Sequence, residues 1–553
     1  MKKPDLNVLS LREKIGQTAV AYCHNDFSNP ENKQWGALYV NSNMRFNEFN
    51  ARFENSAEDK KGAHYEDWIE LIEKIDEQYK IPILAVGDNE TGLHSSLSGF
   101  SRLTTSLLLG AADDEELAYK AGYARGLQMR CAGIRWIWGP VVDLGAWKSA
   151  IASRRQFSDN ADRTIRLAKA MIKGSMDAGV APTIKHFPGD GPVENRDSHA
   201  TAIVNYLSVE EWEEKQGKVY REIIASGIPS IMVGHTGFPA IDPSMVGGGY
   251  RPATISYPII TEFLKGKLGF KGAVVTDALS MRSVVTALDE SMERVYIEAF
   301  KAGNDFMLGC EDDYIDCIEK AVLNGEISME RVDDACQRAL NLKECIGMFE
   351  EGYKAVSGDF DEVAKYCAEN NAEIADKGIN LVCDRTNLLP VKAENIKKVT
   401  IIYVCPRESV RKEYKHIENQ FEKRGAKVTV YETLTSREMM KEIADDSDLI
   451  VYLAHYDVNG SFVDPEYMTF YYALVEGSDK SVVINTSDHT MYYEFFSCFP
   501  VFINAFMESK EVLEKVVEKI YGESEFKGIC PFSLYPPQVE AMLKGKPYGL
   551  IEW

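Results

Sequence analysis

The stretch GAVVTDALSM, residues 272–281, contains a short apolar run that ends at Asp277. Such a run, followed by a turn of small residues, is typical of a strand buried in a parallel sheet. The pattern recurs through the first 310 residues, with helical stretches between the runs, and predicts strands at 37–40, 83–86, 136–142, 182–186, 231–234, 273–276 and 306–308. This alternation predicts an α/β fold, here an N-terminal TIM-type (β/α)8 barrel.

Polar side chains stand where several of these predicted strands end, namely Asp88, Asp143, Lys185, His186, His235 and Asp277. In (β/α)-barrels the active site lies at the carboxyl ends of the strands. One such residue could equally well cap the helix that follows it, whereas five strand ends of this kind in succession favour a site.

A stretch rich in glycine and charge, residues 348–359, separates this region from a second α/β pattern. There we predict an open doubly wound α/β sandwich domain, with strands at 399–404, 427–431, 449–454, 482–485 and 501–505. The predicted organisation is a barrel domain at 1–348, a linker and connecting helix at 349–377, and the second domain at 378–553. Because the second domain contains neither GxGxxG nor a P-loop, we expect it to serve as a scaffold or to donate a loop.

The composition is that of a globular protein of 553 residues, with 45% hydrophobic and 27% charged residues. Its 62 Lys and Arg against 85 Asp and Glu give a net charge of −23, so we expect neither a nucleic acid nor a membrane as partner. The chain shows no signal-peptide pattern, and its 11 cysteines include no CxxC pair, so we expect a cytoplasmic protein with reduced thiols. We expect no metal site and no cofactor, and the sequence does not indicate an oligomeric state.

The segment IKHFPGDGPVENRDSHA, residues 184–200, is the densest group of potentially reactive side chains. Its prolines and glycines predict a loop after the strand that Lys185 and His186 end. Asp197 and His199 are two residues apart, so in extended backbone the carboxylate can reach the imidazole, fix its tautomer and raise its basicity. The pair is a candidate general acid/base, although two ordinary polar loop residues would give the same pattern.

Asp277 is a candidate nucleophile, because a carboxylate at the end of a rigid strand has a fixed position without the ordering of a loop. Considered alone, the same motif is equally compatible with an N-cap for the following helix. A metal-dependent hydrolase that uses His186, His199, His235 and Asp277 is a weaker alternative, since the chain has no HxH or HExxH pattern.

Several motifs in a fixed order carry a resemblance to a known family. They are LREKIGQ (11–17), IPILAVGDNETG (81–92), WIWGPVVDL (136–144), RQF (155–157), KHFPGDG with DSH (185–199), IMVGHTGFPAIDP (231–243), LGFKGAVVTDALSM (268–281) and AFKAGNDFML (299–308). GINLVCDRTNLLPV (378–391) is similar to the start of that family's C-terminal domain. Over nearly its whole length the chain thus resembles glycoside hydrolase family 3, in particular its bacterial β-N-acetylglucosaminidase branch.

The resemblance implies a retaining, exo-acting β-N-acetylhexosaminidase that hydrolyses terminal β-linked N-acetylglucosamine of an oligosaccharide or glycoside through a covalent glycosyl-enzyme. It implies that Asp277 is the nucleophile, that His199 is the general acid/base and that Asp197 orients His199. It also implies a set of residues that bind the hydroxyl groups of the sugar or support the site: Asp88, Arg155, Lys185, His186 and His235.

The resemblance leaves other activities open. A histidine acid/base is neutral once it has lost its proton, so phosphate could replace water and make the enzyme a β-N-acetylglucosaminide phosphorylase. A β-glucosidase of the same family and a non-catalytic sugar-binding relative are the further alternatives. Two departures from the family pattern bear on substrate choice, since Asp190 replaces a second histidine and Ser96 stands near the position of an expected arginine.

Overall fold

The computed structural model describes residues 2–40, 63–144, 154–189, 196, 198–199, 201–288, 291–405, 407–432, 434, 436–455, 476–536 and 539–540. The chain divides into two compact units. The first comprises Met1–Leu103, Ala118–Ala146 and Thr164–Cys367, and the second comprises Thr104–Leu117, Trp147–Arg163 and Ala368–Trp553. Two segments from the N-terminal half of the chain therefore belong to the second unit.

The first unit contains an eight-stranded parallel barrel. Its strands are β1 (Ala19–Tyr22), β2 (Ala37–Val40), β3 (Leu84–Gly87), β4 (Trp136–Ile137), β5 (Ala181–Phe187), β6 (Ser230–Val233), β7 (Ala273–Thr276) and β8 (Met307–Cys310). Neighbours follow the order β7-β6-β5-β4-β3-β2-β1-β8, and a parallel bridge between Val275 and Phe306 joins the two end strands. The predicted TIM-type barrel is confirmed.

The predicted strands agree with seven of the eight barrel strands, and β2 and β7 have the predicted bounds. Strand β1 was not predicted. The strand expected at 136–142 ends at Ile137. Pro140 follows and has no N–H to donate to a neighbouring strand, which explains the shorter element.

The helices of the first unit lie between the strands along the chain. They are Leu11–Gly16, Tyr65–Gln78, Glu115–Cys131, Ala161–Asp177, Val209–Glu214, Gln216–Ala225, Pro258–Lys267, Arg282–Val285, Met292–Ala302, Tyr314–Leu323 and Met329–Cys345, with single turns at Leu6–Val8, Leu93–Ser95, Ala253–Ile255 and Thr286–Leu288. Two small sheets pair Ala63–His64 with Leu97–Ser98, and Met245–Val246 with Gly249–Tyr250. Ser10 and Glu13 form a capping box that fixes the start of the first of these helices.

The interior of the barrel is packed around Trp136, which is fully buried. Its ring centroid lies 4.7 Å from that of Phe306 and 5.7 Å from that of Trp138. Its Nε1–H donates to Thr183 Oγ1 at 2.7 Å, so the buried polar atom of the indole is satisfied. The barrel is therefore a filled core rather than a channel, and a site has to lie at its ends.

The second unit is built on a six-stranded sheet. Its strands are β9 (Asn380–Asp384), β10 (Lys398–Val404), β11 (Lys427–Tyr431), β12 (Leu449–Ala454), β13 (Ser481–Asn485) and β14 (Val501–Asn504), in the order β9-β14-β13-β12-β10-β11. Strand β12, LIVYLA, is buried throughout, as expected for a parallel strand covered on both faces. The predicted doubly wound sheet is confirmed, and the structure adds β9 as an antiparallel edge strand beside β14.

The helices of the second unit are Ser106–Ala112, Glu408–Glu413, Lys415–Lys423, Arg437–Asp446 and Lys510–Ile520, with short helices at Ser478–Lys480 and Tyr492–Phe496, while Phe360–Gly378 begins in the first unit. The helices Glu408–Glu413 and Lys415–Lys423 are separated at Tyr414, a buried residue whose hydroxyl lies 3.0 Å from Thr486 Oγ1. Every helix among the described residues is too short or too polar to cross a bilayer. All 11 cysteines are free thiols.

Candidate active site

The predicted polar residues of the barrel strands lie at one end of the barrel. Asp88 follows β3, Asp143 lies beyond β4, Lys185 and His186 lie near the end of β5, His235 follows β6, and Asp277 follows β7. Because the strands are parallel, all of these carboxyl ends point in the same direction. The hydrogen bonds and electrostatic interactions described below connect these residues to one another.

Asp277 is held at the end of β7 by backbone contacts. Its N–H donates to the Val233 carbonyl at 2.9 Å, and its Oδ1 accepts from the Ala278 N–H at 2.7 Å. Burial by itself raises the pKa of the carboxyl group, but His235, His186, the Ala278 N–H and Lys185 together outweigh burial, so that the pKa lies below its ordinary value. Asp277 is therefore ionised at neutral pH, the state that a nucleophilic carboxylate requires.

His235 is a buried residue whose hydrogen bonds define its tautomer. Its Nε2 lies 2.9 Å from the carbonyl oxygen of Ala278, which can only accept, so Nε2–H donates there. Burial lowers the pKa of His235, although the charge of Asp277 raises it in part, so the ring is neutral. Nδ1 lies 2.7 Å from Thr254 Oγ1. With both nitrogens engaged, His235 supports the loop that follows Asp277.

His186 is oriented by the carboxylate of Asp143. Its Nδ1 lies 2.8 Å from Asp143 Oδ2, and its backbone N–H donates to both carboxylate oxygens at 3.1 and 3.2 Å. The Asp143 side chain is fully buried, so this carboxylate is dedicated to its partner. Because Nδ1–H donates to Asp143, Nε2 is the nitrogen of His186 that faces other groups.

Lys185 lies between two carboxylates. Its Nζ donates to Asp88 Oδ1 and to Glu90 Oε1, the latter at 2.7 Å. The Lys185 side chain is 1% exposed and that of Asp88 is 43% exposed, so a buried cation holds an accessible carboxylate. Glu90 was not among the predicted site residues, although a second carboxylate two residues after Asp88 was a usable signal.

The contacts given above do not include three other predicted residues. Arg155 belongs to the second unit, in the segment Trp147–Arg163. Asp197 lies outside the residues that the structure describes, as does Asp190. His199 is described and exposed, and its carbonyl accepts from the Arg282 N–H at 3.3 Å.

His199 is nevertheless within electrostatic reach of the strand ends. Besides burial, the charges of His186 and His199 lower the pKa of His235. His199 therefore lies in the same electrostatic neighbourhood as the two histidines that flank Asp277.

Two tyrosines of strands β1 and β2 form an aromatic wall beside the carboxylates. The ring of Tyr39 lies 4.8 Å from that of Trp138 and 6.0 Å from that of Tyr22, centroid to centroid. Burial raises the pKa of Tyr22 to about 12, with a contribution from Asp277, and burial and the charge of Asp88 raise that of Tyr39 well above its ordinary value. Both phenols stay protonated and combine a flat apolar face with a hydroxyl group, which suits a sugar ring.

The imidazoles at this end of the barrel bind protein groups rather than one another. In the part of the chain that the structure describes, no group of three or more His, Cys, Asp or Glu side chains is arranged to hold a metal ion. The arrangement offers an ionised carboxylate, oriented imidazoles and a buried ammonium group to a molecule rich in hydroxyl groups.

A match to a family model shows to which proteins this chain is related. The model described as the glycosyl hydrolase family 3 N-terminal domain matches residues 10–342, more than half of the chain. The chain belongs to glycosyl hydrolase family 3. The resemblance inferred from the motifs is thus confirmed, and the protein is a glycoside hydrolase.

Relatives of this family 3 enzyme carry names that refer to β-linked sugars. A protein of Cellulomonas fimi named beta-N-acetylglucosaminidase/beta-glucosidase is 26% identical over 494 residues, which cover 84% of this chain and 86% of the relative. A beta-hexosaminidase of Nitrosomonas eutropha is 29% identical over 238 residues, which cover 42% of this chain and 66% of the relative.

The fold of this family 3 enzyme is shared with solved structures. The structure titled beta-glucoside phosphorylase BglX superposes with a TM-score of 0.82 and 22% identity, and the match covers 96% of this chain and 95% of the other. The likeness covers both units and shows the fold.

Proposed function

We propose that this family 3 enzyme is a retaining, exo-acting β-N-acetylhexosaminidase that hydrolyses terminal β-linked N-acetylglucosamine. The observation that carries the proposal is the ionised carboxylate of Asp277 at the end of β7, flanked by His235 and His186. The names of the relatives, a beta-N-acetylglucosaminidase/beta-glucosidase and a beta-hexosaminidase, support the choice of sugar.

In the first step Asp277 attacks the anomeric carbon and the bond to the leaving oxygen breaks. Because Oδ1 accepts from the Ala278 N–H, we assign the attack to Oδ2. His199 donates its proton to the leaving oxygen, which departs as an alcohol and leaves a covalent glycosyl-enzyme. Asp197 would hold the imidazole in the tautomer that this transfer requires.

In the second step water replaces the leaving group. His199, now neutral, accepts a proton from water while the water oxygen attacks the anomeric carbon and releases the Asp277 carboxylate. Each step inverts the anomeric centre, so the product keeps the configuration of the substrate.

The sugar ring is bound by charged groups at the ends of β3 and β5. The accessible carboxylate of Asp88 accepts hydrogen bonds from hydroxyl groups, and Lys185 and His186 donate to them. Tyr39 offers its ring to an apolar face of the sugar. Arg155 is a further hydroxyl contact by resemblance to the family.

The test is replacement of the nucleophile. Asp277→Ala should lower kcat for a nitrophenyl β-N-acetylglucosaminide by about 10⁴-fold or more, because no other group replaces the attacking carboxylate. The matched control is Asp316→Asn, which alters an exposed aspartate that pairs with Arg12. Turnover of Asp277→Ala at the parent rate would contradict the assignment, whereas Asp316→Asn should retain it.

The same assay separates the alternative activities. A panel of nitrophenyl glycosides, with and without inorganic phosphate, distinguishes an N-acetylhexosaminidase from a β-glucosidase by the preferred donor. Phosphate-dependent formation of a sugar 1-phosphate would show that the reaction is phosphorolysis and not hydrolysis. Binding of the sugar in a calorimeter without turnover of any donor would indicate a non-catalytic relative.

A further inference from the structure

A row of alternating charges extends from the helix Glu115–Cys131 to the site. Its first member is Arg125, which is 2% exposed. A Cβ placed on Gly139 would lie 3.5 Å from Arg125 Nη1 and 3.7 Å from Glu90 Cγ, so both side chains approach this one residue. Glu90 binds Lys185, which in turn binds Asp88. Cation, carboxylate, cation and carboxylate thus follow one another towards the accessible end of the row.

Arg125 depends on Glu90 for its charge balance. Burial lowers the pKa of Arg125 to about 10, and the charge of Glu90 opposes part of that effect, so the guanidinium is protonated at neutral pH. Its Nε makes no hydrogen bond to any described residue. A buried cation is costly unless a carboxylate faces it, and here that carboxylate is Glu90.

The same face of this helix positions the loop that follows β3. Gln128 lies three residues after Arg125, and residues at this spacing share a helix face. Gln128 Oε1 accepts from the Leu93 N–H at 2.8 Å, and its Nε2 donates to the Ser101 carbonyl at 2.9 Å. Gly92 has a φ of +88°, and a Cβ there would lie 2.6 Å from Gln128 Oε1, so glycine permits this close approach. The helix therefore holds both the backbone and the acidic side chain of the loop.

Position 96 contributes no charge to this arrangement. Ser96 is 3% exposed, and its Oγ accepts from Asn89 Nδ2 at 2.8 Å. Besides Lys185, the cation that faces the acidic loop after β3 is Arg125 of the helix Glu115–Cys131.

We propose that Arg125 is a positioning residue for the glycosidase reaction, acting through Glu90 to keep the Lys185 ammonium in place beside Asp88. The inference rests on the proposed function, because Lys185 and Asp88 are the groups assigned there to the sugar hydroxyls. With Arg125 present, the charge of Glu90 is attracted to Arg125 as well as to Lys185. Without Arg125, Glu90 would bind Lys185 more strongly and draw the ammonium away from Asp88.

Arg125→Met tests this role by its effect on KM and kcat separately. We expect KM for a nitrophenyl β-N-acetylglucosaminide to rise about tenfold and kcat to change less than about twofold, because hydroxyl contacts act in the ground state and the transition state alike. The matched control is Arg135→Met. Arg135 is also buried, but it donates to the carbonyls of Lys354 and Ala355, so its loss should lower stability and leave KM unchanged.

A double-mutant cycle with Glu90→Gln tests whether Arg125 acts through Glu90. Arg125→Met should add less than about threefold to KM in the Glu90→Gln background, because the charge that it balances is already gone. If the two substitutions raise KM independently, so that their factors multiply in the double variant, the proposal is overturned. An unchanged KM in Arg125→Met would overturn it as well. Should Arg125→Met fail to fold, Arg125→Gln keeps hydrogen-bond donors without the charge and is expected to raise KM in the same way. Absence of turnover in the parent enzyme would reject the proposed function itself, whereas a normal KM in the variants of an active enzyme would reject the role of Arg125.

Discussion

At the carboxyl ends of the barrel strands a charged side chain reaches solvent, whereas polar side chains at a strand end of the second sheet bind one another in its interior. Asp88 is 43% exposed and is held by a buried lysine. Asn485, at the end of β13, is fully buried, and its Nδ2 donates to Asn504 Oδ1 at 2.9 Å and to the Asp488 carbonyl at 2.7 Å. Both sheets consist mainly of parallel strands with polar residues at strand ends, so position at a strand end does not by itself make a site.

The two regions differ in whether their polar groups bind one another or remain able to bind a substrate. Around Thr486 the hydroxyls and imidazole of the second sheet form a network, with Tyr414 Oη and His455 Nδ1 each 3.0 Å from Thr486 Oγ1. Such mutual hydrogen bonds satisfy buried groups and stabilise a fold. At the barrel the row of charges ends in an accessible carboxylate, which remains able to bind a substrate.

The comparison predicts that loss of a charge at the barrel mouth mainly lowers activity. Lys185→Met should lower kcat/KM by about 100-fold, because hydrogen bonds to charged groups contribute about 1.5–3 kcal/mol each and two carboxylates lose their cation. Kinetics with a nitrophenyl β-N-acetylglucosaminide measure the effect. Lys301→Met, which changes a 39% exposed lysine, is the control. A loss of kcat/KM smaller than threefold in Lys185→Met would contradict the distinction between the barrel mouth and the second sheet.

Loss of a polar group in the second sheet should instead lower stability. Asn485→Ala should reduce the free energy of unfolding by about 2 kcal/mol, because Asn504 and the Asp488 carbonyl lose a buried partner. Urea unfolding measures the change, and kcat/KM should stay within about twofold of the parent value. A large loss of kcat/KM with unchanged stability would show that the second sheet takes a more direct part in the reaction.

The smallest expected effect is a dependence of stability on pH through His235. Burial lowers the pKa of His235 in the folded state. The neutral ring therefore contributes stability that is fully present above about pH 6.5, the pKa of histidine in the unfolded state. This contribution is lost as the pH falls below that value. The slope is at most about 1.4 kcal/mol per pH unit. Urea unfolding at pH 7 and pH 5 should show a larger loss for the parent than for His235→Gln. An equal loss in both proteins would contradict this sign.

Local pattern was sufficient to predict the strand that ends at Asp277, with its bounds at 273–276. It was sufficient because four apolar residues, a carboxylate and a small-residue turn act within one short stretch. The same reasoning did not find Glu90 or Arg125. A glutamate in a loop and an arginine on a helix have an ordinary polar pattern, and only their approach beside Gly139 distinguishes them.

By itself the sequence determined the kinds of side chain at the strand ends, the alternation of strand and helix, and the family, because hydrophobic period and turn chemistry depend on residues close together in the chain. Tertiary structure alone decided which of these side chains meet. Lys185 reaches Asp88 across 97 positions, and the segment that contains Arg155 belongs to a unit formed mostly by the C-terminal half. Such neighbours depend on how helices and strands pack, and no local pattern records that packing.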